Sequence, residues 1–257
     1  MKVYFIGAGP GDPDLITVKG RRIIRKADLV LYAGSLVPRE IAAQAKQGAE
    51  VVDSSSLTLE QTHELLRECV RNNGLAARVH TGDPSLYGAV AEQAALLERD
   101  GIEYEIIPGV TAAFAAAAAA RVSFTAPERT QSLVLTRTGG RTPVPEAEGL
   151  RNLAAHGSAM AVYLSGGNPE LVRAELLAAG LDENTAIVAA HRVGWEGEMI
   201  VRTNLAAMVD DLKGLDLARQ TIFLVLPGQG GPGVRSKLYD GGFAHKFRPE
   251  DETGRGV

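Results

Sequence analysis

Within the first 120 residues a short apolar run gives way to a helix-forming segment five times over. Strands read at Val3–Ile6, Leu29–Tyr32, Glu50–Asp53, Leu75–His80 and Tyr104–Ile107. Helices read at Thr17–Lys26, Arg39–Lys46, from the capping residue Thr58 to Arg71, Gly88–Arg99 and Val110–Ala120. Strands that alternate with helices at this spacing build a mostly parallel sheet covered on both faces. Ligands bind such sheets outside the carboxyl ends of the strands. Three Gly/Pro loops, at residues 7–13, 81–85 and 108–111, directly follow strands, so they are expected to share one rim.

The first of these loops, Gly7-Ala8-Gly9-Pro10-Gly11-Asp12-Pro13, narrows the chemistry. Its spacing is G-x-G-x-G, whereas a dinucleotide loop needs G-x-G-x-x-G opening a helix. Pro10 has no N–H to offer a phosphate, and with Pro13 close behind no helix is expected before Leu15. A loop this stiff holds a ligand by shape and by backbone carbonyls, or serves as a plain strand-to-helix turn. An NAD enzyme would also place an acid near residue 33, where this chain has Ala33-Gly34.

Residues Phe124 to Ser132 read as a hinge, and a second alternating set follows. It comprises strand Ser132–Thr136, a helix around Leu150–Ala155, strand Ala159–Leu164, helix Pro169–Ala179 and strand Ala186–Ala190. A hairpin partner at Glu198–Arg202, helix Leu205–Leu212 and strand Thr221–Leu226 complete it. The expectation is two α/β domains, 1–122 and 130–257, with the ligand in the cleft between them. The Gly-rich tail from Gly228 carries Tyr239, Phe243 and Phe247, an aromatic run expected to pack in part. The alanine-rich stretch 112–120, with Phe114 its one large side chain, lets another backbone or a ligand come close, and its first turn offers free N–H groups at the rim.

With 257 residues, 45% of them hydrophobic, the chain can bury a large core. A net charge of −4 argues against a nucleic-acid partner. Cys69 is the one cysteine, so no intrachain disulfide is expected, and no C-x-x-C spacing suggests a metal. The first residues form a strand rather than a basic stretch before an apolar run, and no run of about eighteen apolar residues spans a bilayer. A cytoplasmic protein without a membrane partner is expected.

The stretches GAGPGDPDLITVKG (7–20), ADLVLYAGSLVP (27–38), HTGDPSLYGA (80–89) and IIPGVTAAFAAAA (106–118) together resemble the tetrapyrrole (corrin/porphyrin) methyltransferase superfamily, in family order. MAVYLSGG (160–167) and the strand at 221–226 match more loosely. Within the superfamily, YAGSLVP, DSSSLTLEQ (53–61), RTPVPE (141–146) and SKLYDGGFAHKFRP (236–249) are most similar to the precorrin-4 C11-methyltransferase branch of cobalamin synthesis. The uroporphyrinogen methyltransferases carry an acid directly after the tyrosine of the second strand and a lysine some twenty residues further on. Here those positions are Ala33 and the neighbourhood of Ser56, which has no lysine.

The resemblance implies a two-domain class III SAM-methyltransferase fold, α/β, with a mostly parallel N-terminal sheet and a mixed C-terminal sheet. It implies a homodimer that binds S-adenosylmethionine (SAM) and methylates C-11 of precorrin-4 or its cobalt form, releasing S-adenosylhomocysteine. Methylation at another position, of another precorrin or of uroporphyrinogen III, is the alternative. By the same resemblance the SAM contacts are Pro10, Gly82, Asp83, Leu86, Thr111, Ala112, Tyr163, Ala190 and Val193. Asp83 either accepts from SAM or turns its own backbone. Leu86 either touches SAM or packs in the core, and Tyr163 either contacts SAM or is a packing aromatic. His191 lies beside these as a possible base. No catalytic acid–base pair is expected, because an electron-rich ring carbon attacks directly. Arg129, Arg137, Arg141 and His80 are candidates for a basic rim that meets substrate carboxylates, or else ordinary surface charges. Ser35 and Leu36 are candidates for shaping the acceptor pocket.

Overall fold

The computed structural model describes residues 1–229 together with 236, 243, 244 and 246. Tyr239 and Phe247 of the expected aromatic run lie outside the described residues, and Phe243 is 40% exposed. The chain divides into two compact units. The first is Met1–Ala119 with Ala190–Ile200, and the second is Ala120–Ala189 with the chain from Val201 on.

The first unit is built on β1 (Val3–Gly7), β2 (Leu29–Tyr32), β3 (Glu50–Asp53), β4 (Ala76–His80) and β5 (Tyr104–Ile107), in the order β3-β2-β4-β1-β5. Every pairing is parallel, in registers such as Ile6↔Val79 and Tyr32↔Asp53. The connecting helices are α1 (Val18–Ile24), α2 (Arg39–Ala42), α3 (Leu59–Arg71), α4 (Val90–Arg99) and α5 (Ala112–Ala119). Side chains alternate across the strands. Ile6, Val30, Ala77 and Val79 pack with Ile24 and Ile41 on one face. Phe5, Leu29, Leu31 and Ala76 pack with Leu66 and Leu97 on the other.

Local chemistry sets the element ends. Thr58 Oγ1 accepts from Gln61 N while Gln61 Oε1 accepts from Thr58 N, a capping box that starts α3 where the sequence places it. The opening loop differs from expectation: a one-turn 3-10 helix spans Pro13–Leu15. Asp12 accepts from Asp14 N at 2.8 Å, and proline is favoured at a first helical position. Helix α2 is shorter than expected, because i→i+3 bonds from Gln44 and Ala45 tighten the chain beyond Ala42.

In the second unit β6 (Leu133–Arg137), β7 (Ala159–Tyr163), β8 (Ala186–His191), β9 (Met199–Asn204) and β10 (Thr221–Leu226) form a sheet in the order β6-β7-β10-β8-β9. The sheet is mixed, since β6 and β7 run parallel and β7 and β10 antiparallel. Helices α6 (Leu150–Ala154), α7 (Pro169–Ala178) and α8 (Met208–Leu212) cover it over a core that includes Met160, Val172, Leu176, Met208 and Phe223. Helix α8 starts later than the sequence pattern suggests, because Asn204 Oδ1 accepts from Ala207 N and holds a turn there. Among the described residues no helix is long and apolar enough to cross a membrane.

Candidate functional site

The three glycine loops of the first unit meet at the carboxyl ends of β1, β4 and β5. Ala8 N donates to His80 O at 2.8 Å, Gly82 N to Gly9 O at 2.8 Å, and Gly9 N to Gly82 O at 3.3 Å. Contact is too close for side chains. A Cβ on Gly7 would lie 2.6 Å from the Gly109 backbone, and one on Gly109 would lie 2.1 Å from Gly82 O. Gly82 is different. It holds φ +59°, and the atoms nearest to a Cβ there are Thr111 Cα at 3.8 Å and Val110 O at 3.9 Å. A left-handed glycine whose side-chain space is not filled by protein lets a ligand approach the main chain.

Asp83 works on the loops themselves. Its Oδ1 accepts from Ser85 N at 2.8 Å, and its Oδ2 accepts from Gly109 N at 2.9 Å. Of the two roles open to it in the sequence, the local turn is formed, and a bond to the third loop is added. Thr111 is buried and Ala112, half-buried, opens α5. The Leu86 side chain is half-buried. Beyond it Tyr87 (φ +55°) and Ala89 (φ +48°) are left-handed, as is Arg192 (φ +51°) after β8. Each such non-glycine residue costs about 1–2 kcal/mol, and strain of this kind collects at functional loops.

Pro10 is buried, and its carbonyl is not open to a ligand as the loop's sequence suggested. Trp195 Nε1 donates to Pro10 O at 2.8 Å. The indole also explains Gly11, where a Cβ would lie 2.3 Å from Trp195 Cδ1 and 2.7 Å from Val193 O. Gly194 (φ +79°) is pressed against Asp12 N, 2.5 Å from where its Cβ would be, and its N–H donates to Glu198 Oε2 at 2.8 Å. Val193, buried, therefore lies beside the opening loop, whereas Ala190 is fully buried in β8. Sequence reasoning missed Trp195. The one signal available was that it is the sole tryptophan of the chain and stands between two glycines, Gly194 and Gly197.

Arg78 and His80 lie two residues apart on β4 and are both buried. Arg78 Nε donates to Gln93 Oε1 at 2.9 Å, and its Nη1 donates to Ser54 Oγ at 2.9 Å and Leu31 O at 3.3 Å. None of these partners is a carboxylate, and burial lowers the guanidinium to about 10. Burial, helped by the Arg78 charge, lowers His80 to about 3, so its ring is neutral. His80, 5% exposed with no partner for Nε2 among the described residues, is thus no part of a basic rim, contrary to expectation. The reason is its inward direction on the sheet, against Phe5 at 5.8 Å.

The loop after β2 is held from β3. Asp53 Oδ1 accepts from Gly34 N at 3.0 Å, and its carboxyl group fills the space a Cβ at residue 34 would need. Ser35 and Leu36 are exposed there. In the second unit Arg137 braces its own loop, donating to Thr142 O and Pro143 O at 2.9 Å, while Arg129 and Arg141 are exposed. Tyr163 ends β7, which stops one residue short of the expected Leu164. It is half-buried, and Leu164 after it is left-handed (φ +52°) and 72% exposed. His191 is half-buried at the end of β8.

A parallel five-stranded unit with glycine loops at its strand ends, followed by a mixed five-stranded unit, has the fold of the class III methyltransferases. Residues 2–209 match the Tetrapyrrole (Corrin/Porphyrin) Methylases, and the chain belongs to that family. It is 45% identical to the cobalt-precorrin-4 C(11)-methyltransferase of Priestia megaterium, over 96% of this chain and 98% of that one. To the precorrin-4 C(11)-methyltransferase of Pseudomonas aeruginosa it is 44% identical, over 97% and 99%. The solved structure of a cobalt precorrin-4 methyltransferase superposes with a TM-score of 0.85 at 46% identity, over 87% of this chain and 94% of that one. Uroporphyrin-III C-methyl transferase from Thermus thermophilus, complexed with S-adenyl homocysteine, gives 0.72 at 26% identity, over 88% and 92%.

Proposed function

We propose that this protein transfers the methyl group of S-adenosylmethionine to C-11 of precorrin-4, free or carrying cobalt, in cobalamin biosynthesis, with precorrin-5 and S-adenosylhomocysteine as products. The observation that carries the reading is near-full-length identity of 45% to a relative of that specificity. The rim suits the donor: at Gly82 the space of a side chain is left unfilled beside Thr111, and glycines bring the strand ends together. When bound, SAM supplies an electrophilic methyl on a sulfonium. Pro10, Gly82, Asp83, Leu86, Thr111, Ala112, Tyr163, Ala190 and Val193 are proposed to hold it, and their work is positioning.

Asp83 fits such a role through its neighbours. With both oxygens engaged by main-chain N–H groups, its charge is spent on loop geometry rather than focused on a cation whose positive charge must fall in the transition state. His80, buried behind the loop and neutral, adds no charge of its own at that point of the rim.

A homodimer in the cytoplasm, without a nucleic-acid partner, belongs to the same proposal. Its support is the family resemblance and the net charge of −4, and sedimentation of the full chain checks the dimer. Turnover tests the reaction: purified protein, SAM and precorrin-4, with and without cobalt, should yield a product heavier by one methylene together with S-adenosylhomocysteine. Methylation of uroporphyrinogen III in place of precorrin-4 would favour the alternative.

A further inference from the structure

We infer that Trp195 is a positioning residue for the methyl donor: it fixes the main chain at Pro10–Gly11, so a segment from the second half of the sequence sets one wall of the donor site. This rests on the proposed use of SAM at the strand-end rim.

Four contacts define the lock. The indole N–H holds the Pro10 carbonyl at 2.8 Å. The indole edge occupies the space over Gly11, and Val193 O also lies 2.7 Å from where a Cβ there would be. Gly194, left-handed, lets the chain approach Asp12 N, and its own N–H is tied to Glu198. Trp195 N donates to Arg192 O at 2.9 Å and Glu198 N to Trp195 O at 3.1 Å, so the segment is braced internally before it meets the loop. Proline contributes no N–H to anchor itself. Its carbonyl is therefore the main-chain handle at residue 10, and the protein spends it on Trp195. An ordinary turn would have no need of a residue 185 positions away in sequence. The same arrangement explains why residue 11 is glycine without invoking a phosphate: the methyl of an alanine would displace the indole and with it the proline.

The test separates packing from positioning. Trp195→Phe keeps an aromatic ring near Gly11 while removing the donor to Pro10 and the second ring of the indole. Calorimetric titration with SAM and with S-adenosylhomocysteine should show dissociation constants raised about tenfold, and KM for SAM raised with it. The kcat at saturating SAM should stay near wild type, which a general loss of structure would not allow, while the unfolding midpoint of the unliganded variant falls modestly because the buried Pro10 carbonyl loses its donor. Gly11→Ala should weaken SAM binding to a similar degree, because its methyl would lie 2.3 Å from Trp195 Cδ1 and 2.7 Å from Val193 O and so push the indole off Pro10. Since Trp195 is the sole tryptophan, its emission in the wild-type protein should change saturably with SAM, which needs no variant to fold. Equal SAM affinity in wild type and Trp195→Phe, or unaltered emission at a SAM concentration that calorimetry shows to be saturating, overturns the inference and leaves the proposed function standing. Failure of the wild-type protein to bind SAM overturns both.

Discussion

The Asp83 carboxylate accepts a hydrogen bond from the main-chain N–H of Gly109 at 2.9 Å, so one side chain ties the loop after β4 to the loop after β5. A ligand seated on both loops feels that bond. Charge-assisted bonds contribute about 1.5–3 kcal/mol, and this one is only partly buried, so Asp83→Ala should cost at the lower end of that range. A ligand at about one hundred times its dissociation constant adds about 2.7 kcal/mol to stability. Thermal unfolding should show a raised midpoint with SAM and S-adenosylhomocysteine but not with NAD, and the rise should shrink in Asp83→Ala. An undiminished rise in the variant would remove Asp83 from the donor site.

Glycine at residue 109 is required by crowding. The Cβ of Gly109→Ala would meet Gly82 O at 2.1 Å, so the two strand ends must separate. Overpacking of this kind costs about 1–3 kcal/mol, and urea unfolding should show it. Gly140, where nothing lies within 4 Å of an added Cβ, is the control. Gly140→Ala should stay within about 0.5 kcal/mol of wild type.

His80 makes stability depend on pH. Its folded-state value of about 3 lies below the ordinary histidine value of 6.5. The unfolded chain therefore binds the extra proton first as pH falls. No penalty exists above about pH 6.5, and stability declines below it, approaching about 1.4 kcal/mol per pH unit until the folded value is reached. His80→Gln has no such proton to take up, so its stability between about pH 6 and 4 should fall less steeply than that of wild type. Parallel denaturation curves at each pH for the two proteins would contradict the neutral, buried assignment.

Asp100 acts in the same direction at lower pH, here through a favourable contact that is lost. A hydrogen bond from His63 at 2.8 Å, then one from Arg99, holds its carboxyl down to about 2. Its contribution is present above the ordinary carboxylate value near 3.8 and is lost as pH falls toward 2. Asp100→Asn should lower stability at neutral pH and make the acid limb of the unfolding curve shallower, which circular dichroism against pH reads directly.

Much of this was legible in the residues. Strands β2, β3, β5 and β10 have the ends read from the sequence, with Gly, Pro or polar residues within two positions of each end. The convergence of the three glycine loops followed from parallel pairing alone. What could not be read depends on contacts between residues far apart in sequence. Nothing local to Trp195 says that its indole covers Gly11. Arg78 sits in a strand that a charged residue would ordinarily avoid, and only its three partners from Leu31, Ser54 and Gln93 explain it. His80 read as a candidate for a basic rim that meets substrate carboxylates, whereas the register of β4 turns it inward beside Arg78.

The most direct measurement is where the methyl goes. Precorrin-4 and its cobalt form are incubated with the protein and SAM carrying an isotopically labelled methyl group, and the product is examined by NMR. Label at C-11 of one of the two acceptors is expected. Label at another ring carbon, or none in either acceptor from a protein that binds SAM, would contradict the proposed function.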